Sequence, residues 1–120
     1  MLIVEDHDDS REVLQVLLKS WGYEADTAAD GVRGLELAQA AHYDAVILDL
    51  NLPGMDGLEV GRSVSKLFPR PRLIAHSGFD RPIDRERTGK AGFDLHLAKG
   101  GIDTIDLLKT YLDSIAHDSF

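Results

Sequence analysis

Residues 45–57 read Ala45-Val46-Ile47-Leu48-Asp49-Leu50-Asn51-Leu52-Pro53-Gly54-Met55-Asp56-Gly57. The unbroken apolar run, entered through Tyr43, has no polar alternation, so it predicts a strand from Tyr43 to Leu48 buried on both faces of a sheet. It stops at Asp49. Residues 50–57 are dense in Pro, Gly, Asn and Asp and predict a loop, which leads into a helix from about Leu58 to Phe68.

On the N-terminal side, Met1 to Val4 is another short apolar run that ends in an adjacent acid pair, Glu5-Asp6. Val13, Leu14, Leu17, Leu18 and Trp21 then recur at helical spacing, with Asp9 and Glu12 placed as a capping box and Gly22 as the stop. Tyr23 to Ala28 predicts a second strand, Asp30-Gly31 a turn or cap, and Val32 to Ala41 an Ala-rich helix. On the C-terminal side, Pro69 and Pro71 precede a strand from Arg72 to His76, which exits through Ser77-Gly78-Phe79. A charged segment from Arg81 to Ala91 predicts a fourth helix with Pro82 in its first turn. Phe93 to Ala98 gives a fifth strand ending at Lys99, and Ile102, Ile105, Leu108, Leu112 and Ile115 trace one face of a last helix.

Five strand–helix units predict an α/β fold: one doubly wound domain over residues 1–120, with a parallel sheet covered by helices on both faces. The 120-residue length suits one core. Thirteen Lys and Arg against twenty-one Asp and Glu give a net charge of -8, which argues against direct nucleic acid binding and against adhesion to anionic lipid. Cysteine is absent, which excludes disulfides, thiolate catalysis and thiolate metal sites and is compatible with a cytoplasmic protein. No apolar stretch reaches the roughly 20 residues of a membrane span, so no membrane insertion is expected.

In open α/β sheets ligands sit beyond the carboxyl ends of the strands. The exits of the first, third, fourth and fifth strands carry Glu5 and Asp6, Asp49, Ser77, and Lys99. Three converging carboxylates repel one another unless a hard cation intervenes, and such oxygen ligands suit Mg²⁺, with Mn²⁺ as a substitute. Lys99, the Ser77 hydroxyl and the Gly78 N–H supply donors for a phosphoryl group on Asp49. Taken singly, each has a plainer reading: Asp8 and Asp9 as cap and surface residues, Asp56-Gly57 as a turn, His76 as an ordinary packed or surface histidine.

Val4-Glu5-Asp6, Ile47-Leu48-Asp49-Leu50 with Leu52-Pro53-Gly54-Met55-Asp56-Gly57, Ser77-Gly78 and Lys99 together resemble the receiver domains of two-component response regulators. The resemblance runs over essentially the whole chain. It implies a flavodoxin-like, CheY-like sheet of order 2-1-3-4-5 and phosphoryl transfer to Asp49 from a sensor histidine kinase or a histidine phosphotransfer protein. Mg²⁺ would be held by Glu5, Asp6, Asp49 and the Asn51 backbone carbonyl. Such a domain assists its own phosphorylation and dephosphorylation and is not a turnover enzyme. The resemblance further implies that Asn51 and Phe79 tune the lifetime of the phosphorylated state and that a downstream protein docks on the face made by the fourth helix, fifth strand and fifth helix.

Two positions depart from the family pattern. Gly100 stands where Pro usually follows the Lys, and His96 stands where an aromatic switch residue is common. His96 and its neighbours look more like receivers of hybrid sensor kinases, which favours a domain cut from such a kinase or a stand-alone relay receiver over one followed by a DNA-binding domain, and so a cytoplasmic protein or the cytosolic piece of a membrane-bound kinase. Gly100 and His96 also suggest the alternative of a degenerate receiver, acting as an interaction domain whose output does not depend on phosphorylation. A phosphatase with a second Asp two residues after the nucleophile is disfavoured because position 51 is Asn. A nucleotide binder is disfavoured because Glu5-Asp6 would repel phosphate where a cradle is needed.

Overall fold

A computed structural model describes residues 1–118. Its elements run β1 (Leu2–Val4), α1 (Asp8–Ser20), β2 (Asp26–Ala28), α2 (Gly31–Ala40), β3 (Ala45–Asp49), α3 (Gly57–Val64), β4 (Arg72–Ser77), α4 (Pro82–Lys90), β5 (Leu95–Ala98) and α5 (Thr104–Asp118). The strands form one five-stranded sheet of order β2-β1-β3-β4-β5. All four pairings are parallel, as the alternation of strands and helices requires.

Side-chain alternation along the strands splits the core in two. Leu2, Val4, Val46, Leu48, Leu73 and Ala75 meet Ala38 of α2 and Val60 and Val64 of α3 on one face. Ile3, Ala45, Ile47, Ile74 and Leu97 meet Leu14 and Leu18 of α1 and Leu108 and Leu112 of α5 on the other. Residues 45–49 are buried throughout, which is why that run lacks polar alternation.

Several boundaries differ from the sequence expectation, each for a local reason. Helix α1 begins at Asp8 with His7 as its extended N-cap, so Asp9 and Glu12 lie inside the helix and form no capping box. Asp8 and Asp9 instead place negative charge in the first turn, against the positive end of the helix dipole. Strand β2 is reduced to three residues, because the Tyr23 N–H is taken by the Leu18 carbonyl at the end of α1. Helix α3 stops at Val64, four residues early. There the Ser65 hydroxyl bonds back to the Arg62 carbonyl, and Phe68 precedes a proline, a position that disfavours helix and here leaves the ring exposed.

Ile102 precedes α5 and is fully exposed, and Ile105 is also largely exposed. The inward face is carried by Thr104, Leu108 and Leu112, with Tyr111 and Ile115 partly buried. Val13, expected on the inner face of α1, is exposed with Val16. Asp30 and Asp56 are caps: their carboxylates accept from Arg33 N–H at 2.8 Å and from Leu58 N–H at 2.8 Å. The charged fourth helix forms with Pro82 at its start, and Asp84 reaches back to accept the Arg81 N–H at 2.9 Å.

Candidate functional site

Parallel pairing with in-register ends brings four strand exits to one edge of the sheet. Val4 lies opposite Leu48, Asp49 opposite His76, and Ser77 opposite Ala98, so the residues just beyond must converge. The loop from β3 to α3 is held close by Gly57: a Cβ there would lie 2.5 Å from the Leu50 Cα and 2.6 Å from the Asp49 carbonyl oxygen. Only glycine permits that approach.

At this edge Glu5 and Asp49 are almost fully buried, at 1% and 2% exposure. Lys99 Nζ donates to Asp49 Oδ2 at 2.9 Å and to Glu5 Oε1 and Oε2 at 3.2 and 3.3 Å. The other Asp49 oxygen, Oδ1, accepts the Asn51 N–H at 3.0 Å, which leaves the carboxylate little rotational freedom. Burial pushes the Glu5 carboxyl above its ordinary value, reinforced by neighbouring Asp49 and only partly opposed by Lys99. Burial acts the same way on Asp49, but hydrogen bonds from Glu5, the Asn51 N–H and Lys99 outweigh it and hold Asp49 below the usual carboxylate range. Lys99 loses some charge preference to burial, yet its contacts with Asp49 and Glu5 raise its pKa overall. The two acids thus differ: Glu5 keeps a proton more readily, and Asp49 gives its proton up more readily.

Asp6 contributes a further acid to the cluster, and its Oδ1 is buried without a hydrogen-bond partner. One donor atom from each of Glu5, Asp6, His7 and Asp49 lies within 4.8 Å of the others. An orphaned carboxylate oxygen beside two buried carboxylates fits a divalent cation and the oxygen-rich donor set that Mg²⁺ prefers. The sequence carries no signal for His7, because a histidine after two acids has no distinctive spacing. Its ring Nδ1 sits 3.2 Å from Glu5 Oε1 and 3.3 Å from Asp6 Oδ1.

Ser77 is fully buried, and its hydroxyl accepts the Phe79 N–H at 3.0 Å. The Lys99 N–H bonds the Ser77 carbonyl at 2.8 Å, tying the fourth and fifth exits together. A Cβ on Gly78 would meet open space, so there is room beside that backbone for a bound group. Ser77, Asn51, Phe79 and Arg81 line a cleft of about 580 Å³ next to the acids. His96 is buried with both ring nitrogens engaged, Nδ1 with Thr88 Oγ1 at 3.1 Å and Nε2 with the Phe79 carbonyl at 2.9 Å. Because a carbonyl only accepts, Nε2 carries a proton, and the ring ties α4 to the loop after β4. His76 faces the site region with its Nδ1 unpartnered; burial, chiefly, and the charge of Lys99 lower its pKa to about 4. Gly100 has φ +72°, a left-handed conformation that proline cannot adopt, so this loop follows a different backbone path from one built on Pro.

Comparison with known proteins agrees with this architecture. The family model described as "Response regulator receiver domain" matches residues 1–111. The chain is 34% identical over 115 residues to the Sensor protein EvgS of Escherichia coli (strain K12), covering 96% of this chain but 9% of that protein's length. Among solved structures, the response regulator TrrA from Thermotoga maritima in complex with Mg²⁺-BeF superposes with a TM-score of 0.83 at 31% identity, covering 95% of this chain and 96% of that one. The receiver domain of sensor histidine kinase PA1611 from Pseudomonas aeruginosa, which has a magnesium ion coordinated in its active site cleft, superposes with a TM-score of 0.77 at 30% identity, covering 95% and 90%. With the same strand order, acidic strand exits and a family match across nearly its whole length, the chain belongs to the response regulator receiver domain family of two-component signalling.

Proposed function

We propose that this receiver accepts a phosphoryl group on Asp49 in a Mg²⁺-dependent reaction, from the phosphohistidine of a sensor histidine kinase or a histidine phosphotransfer protein. The observation that carries the reading is the clamped Asp49 carboxylate, with Oδ1 on the Asn51 N–H and Oδ2 on Lys99 Nζ, beside an unpartnered Asp6 oxygen. Glu5, Asp6, Asp49 and the Asn51 carbonyl would hold the Mg²⁺, or Mn²⁺ in its place, and the ion would supply charge neutralisation for the transferring group. An Asp49 oxygen attacks phosphorus as the P–N bond of the donor breaks, and the ring, protonated on its other nitrogen, departs with the bonding electrons as neutral imidazole. Lys99 exchanges carboxylate partners for a phosphoryl oxygen. Ser77 and the Gly78 N–H take other oxygens, while Asn51 and Phe79 flank the line by which water later hydrolyses the acyl phosphate.

Such a domain consumes and regenerates its own carboxylate, so it acts as a phosphoacceptor and not as a turnover enzyme. Phosphorylation biases two states through Ser77 and His96, and the α4–β5–α5 face, where Ile83 and Leu107 are exposed, docks a downstream protein. Direct nucleic acid contact is not part of this reading, given the net charge of -8. Among the described residues no helix is long and apolar enough to cross a membrane. The domain works in the cytoplasm in this reading, alone or as part of a longer sensor kinase. The test is incubation with Mg²⁺ and acetyl phosphate, read by mass spectrometry. One phosphoryl adduct is expected, lost with chelator and in Asp49→Asn; without an adduct, the degenerate-receiver reading takes its place.

A further inference from the structure

We propose that His7 adds its imidazole to the acidic cluster and gives the site a preference for imidazole-binding transition ions, Zn²⁺ or Ni²⁺, that its carboxylates alone would lack. The inference rests on the Mg²⁺-dependent reading of the same site and deepens it. Three observations combine. The His7 Nδ1 lies 3.2 Å from Glu5 Oε1 and 3.3 Å from Asp6 Oδ1. Adjacent ligands of an ion bound at about 2.1 Å stand about 3.0 Å apart in an octahedron and about 3.4 Å apart in a tetrahedron, so these separations already match neighbouring coordination positions. Donor atoms of Glu5, Asp6, His7 and Asp49 all lie within 4.8 Å of one another.

The second observation is the Asp6 Oδ1, buried and without a hydrogen-bond partner, with the His7 ring as its near neighbour and the Lys99 ammonium directed to Glu5 and Asp49 instead. The third is backbone placement. His7 is the extended N-cap of α1, with φ -78° and ψ 120°, between the β1 exit and the first helical turn. Its carbonyl is fixed by the Arg11 N–H at 2.9 Å, while the Arg11 guanidinium holds the Glu5 carbonyl at 3.0 Å. The ring is therefore delivered to the acids by the fold, while its side chain remains 70% exposed and open to an entering ion.

The chemistry decides between ions. Mg²⁺ is a hard cation that takes oxygens and keeps several waters, so it gains little from an imidazole. Zn²⁺ and Ni²⁺ are well served by one and stand higher in the general affinity order. Without an ion, Nδ1 shares a hydrogen bond with Glu5 Oε1; with one, the neutral ring would carry its proton on Nε2 and offer the Nδ1 lone pair instead. Zn²⁺ then competes with Mg²⁺ for the carboxylate that accepts phosphate, so the ratio of the two ions sets how much Asp49 is available.

Calorimetric titration of the full chain with Mg²⁺, Zn²⁺ and Ni²⁺ separately tests this, in the wild type, His7→Ala and His7→Gln. Both variants are expected to weaken Zn²⁺ and Ni²⁺ roughly 10- to 100-fold more than Mg²⁺, a loss on the scale seen when ligand support is removed. Asp49→Asn should weaken all three ions, locating them at this cluster. With Co²⁺ as probe, the wild type should show a strongly shifted, solvent-exchangeable imidazole N–H resonance that is absent in both variants. The inference is overturned if the Ni²⁺-to-Mg²⁺ affinity ratio is the same in all three proteins, or if the resonance persists without His7. If the wild type binds no Mg²⁺, the metal-dependent reading falls with it; if Mg²⁺ binds but the ratio ignores His7, the inference alone falls.

Discussion

The two halves of the site are built from different parts of the sheet. Glu5 and Asp49 leave the central strands β1 and β3, are almost wholly buried, and are fixed by the neighbouring backbone. Lys99 leaves the edge strand β5 into a loop where Gly100 takes a left-handed turn, and it reaches back across the sheet end to Glu5 and Asp49. The difference teaches where change is tolerated. The carboxylates sit on the buried centre, while Lys99 reaches them from an edge strand whose following loop meets no neighbour at Gly100.

The sharpest way to break this contrast is Asp49→Asn on the central side, which should reduce phosphorylation by acetyl phosphate to background by mass spectrometry. Next is Lys99→Met. Removing the ammonium leaves Glu5 and Asp49 without their cation, and hydrogen bonds to charged groups of this kind contribute about 2 kcal/mol. Urea unfolding without metal should show a loss of that order, partly restored by Mg²⁺.

A third prediction concerns pH. Glu5 titrates above 4.5 in the fold, so the native state retains a proton that the unfolded chain has released. Its contribution to stability is present near pH 4.5 and is lost as pH rises through the folded value. His76, lowered to about 4, opposes this, because the fold binds the proton less readily and stability falls as pH drops from 6.5 toward 4. The comparison of wild type with Glu5→Gln isolates the first effect. Relative to the variant, metal-free wild type should lose stability in urea as pH rises above 4.5, and saturating Mg²⁺ should abolish the difference. Asp49, held below 3.8, adds stability above that value and gives it up only under stronger acid.

Smaller effects are expected on the edge side. Gly100→Ala meets no neighbour, so its cost is the left-handed backbone alone, about 1 kcal/mol by urea unfolding. Gly100→Pro cannot keep φ +72° and should cost more, with a slower phosphorylation rate as Lys99 is re-aimed. His96→Phe gives up the bonds to Thr88 and the Phe79 carbonyl for a loss of about 1 kcal/mol, and should change the phosphorylation rate only a few-fold. A larger effect from His96→Phe than from Asp49→Asn would reverse the assignment of rigid and adjustable halves.

The central half is also the part most legible in the sequence. The apolar run ending at Asp49 announces a buried strand, and the acid pair after Val4 announces another exit, because burial on both faces leaves no room for polar residues until the strand ends. The strand order came from family resemblance and not from periodicity, which carries no information about neighbours. Local hydrogen bonds decide what periodicity cannot: the Arg11 N–H on the His7 carbonyl starts α1 before Asp9, and the Ser65 hydroxyl on the Arg62 carbonyl ends α3. Likewise the exposure of Ile102 and Val13 depends on which turn first touches the sheet. His7 and the engaged ring of His96 were illegible as contacts, since each depends on distances across separate elements.

Gly57 carries a last consequence. With its Cα pressed against the Leu50 backbone and its N–H bonded to the Leu50 carbonyl at 3.2 Å, α3 and the end of β3 have no slack between them. Close-packed backbone transmits displacement and does not absorb it. The start of α3 is therefore seated directly on the residue after Asp49, with backbone and not side chains making the joint.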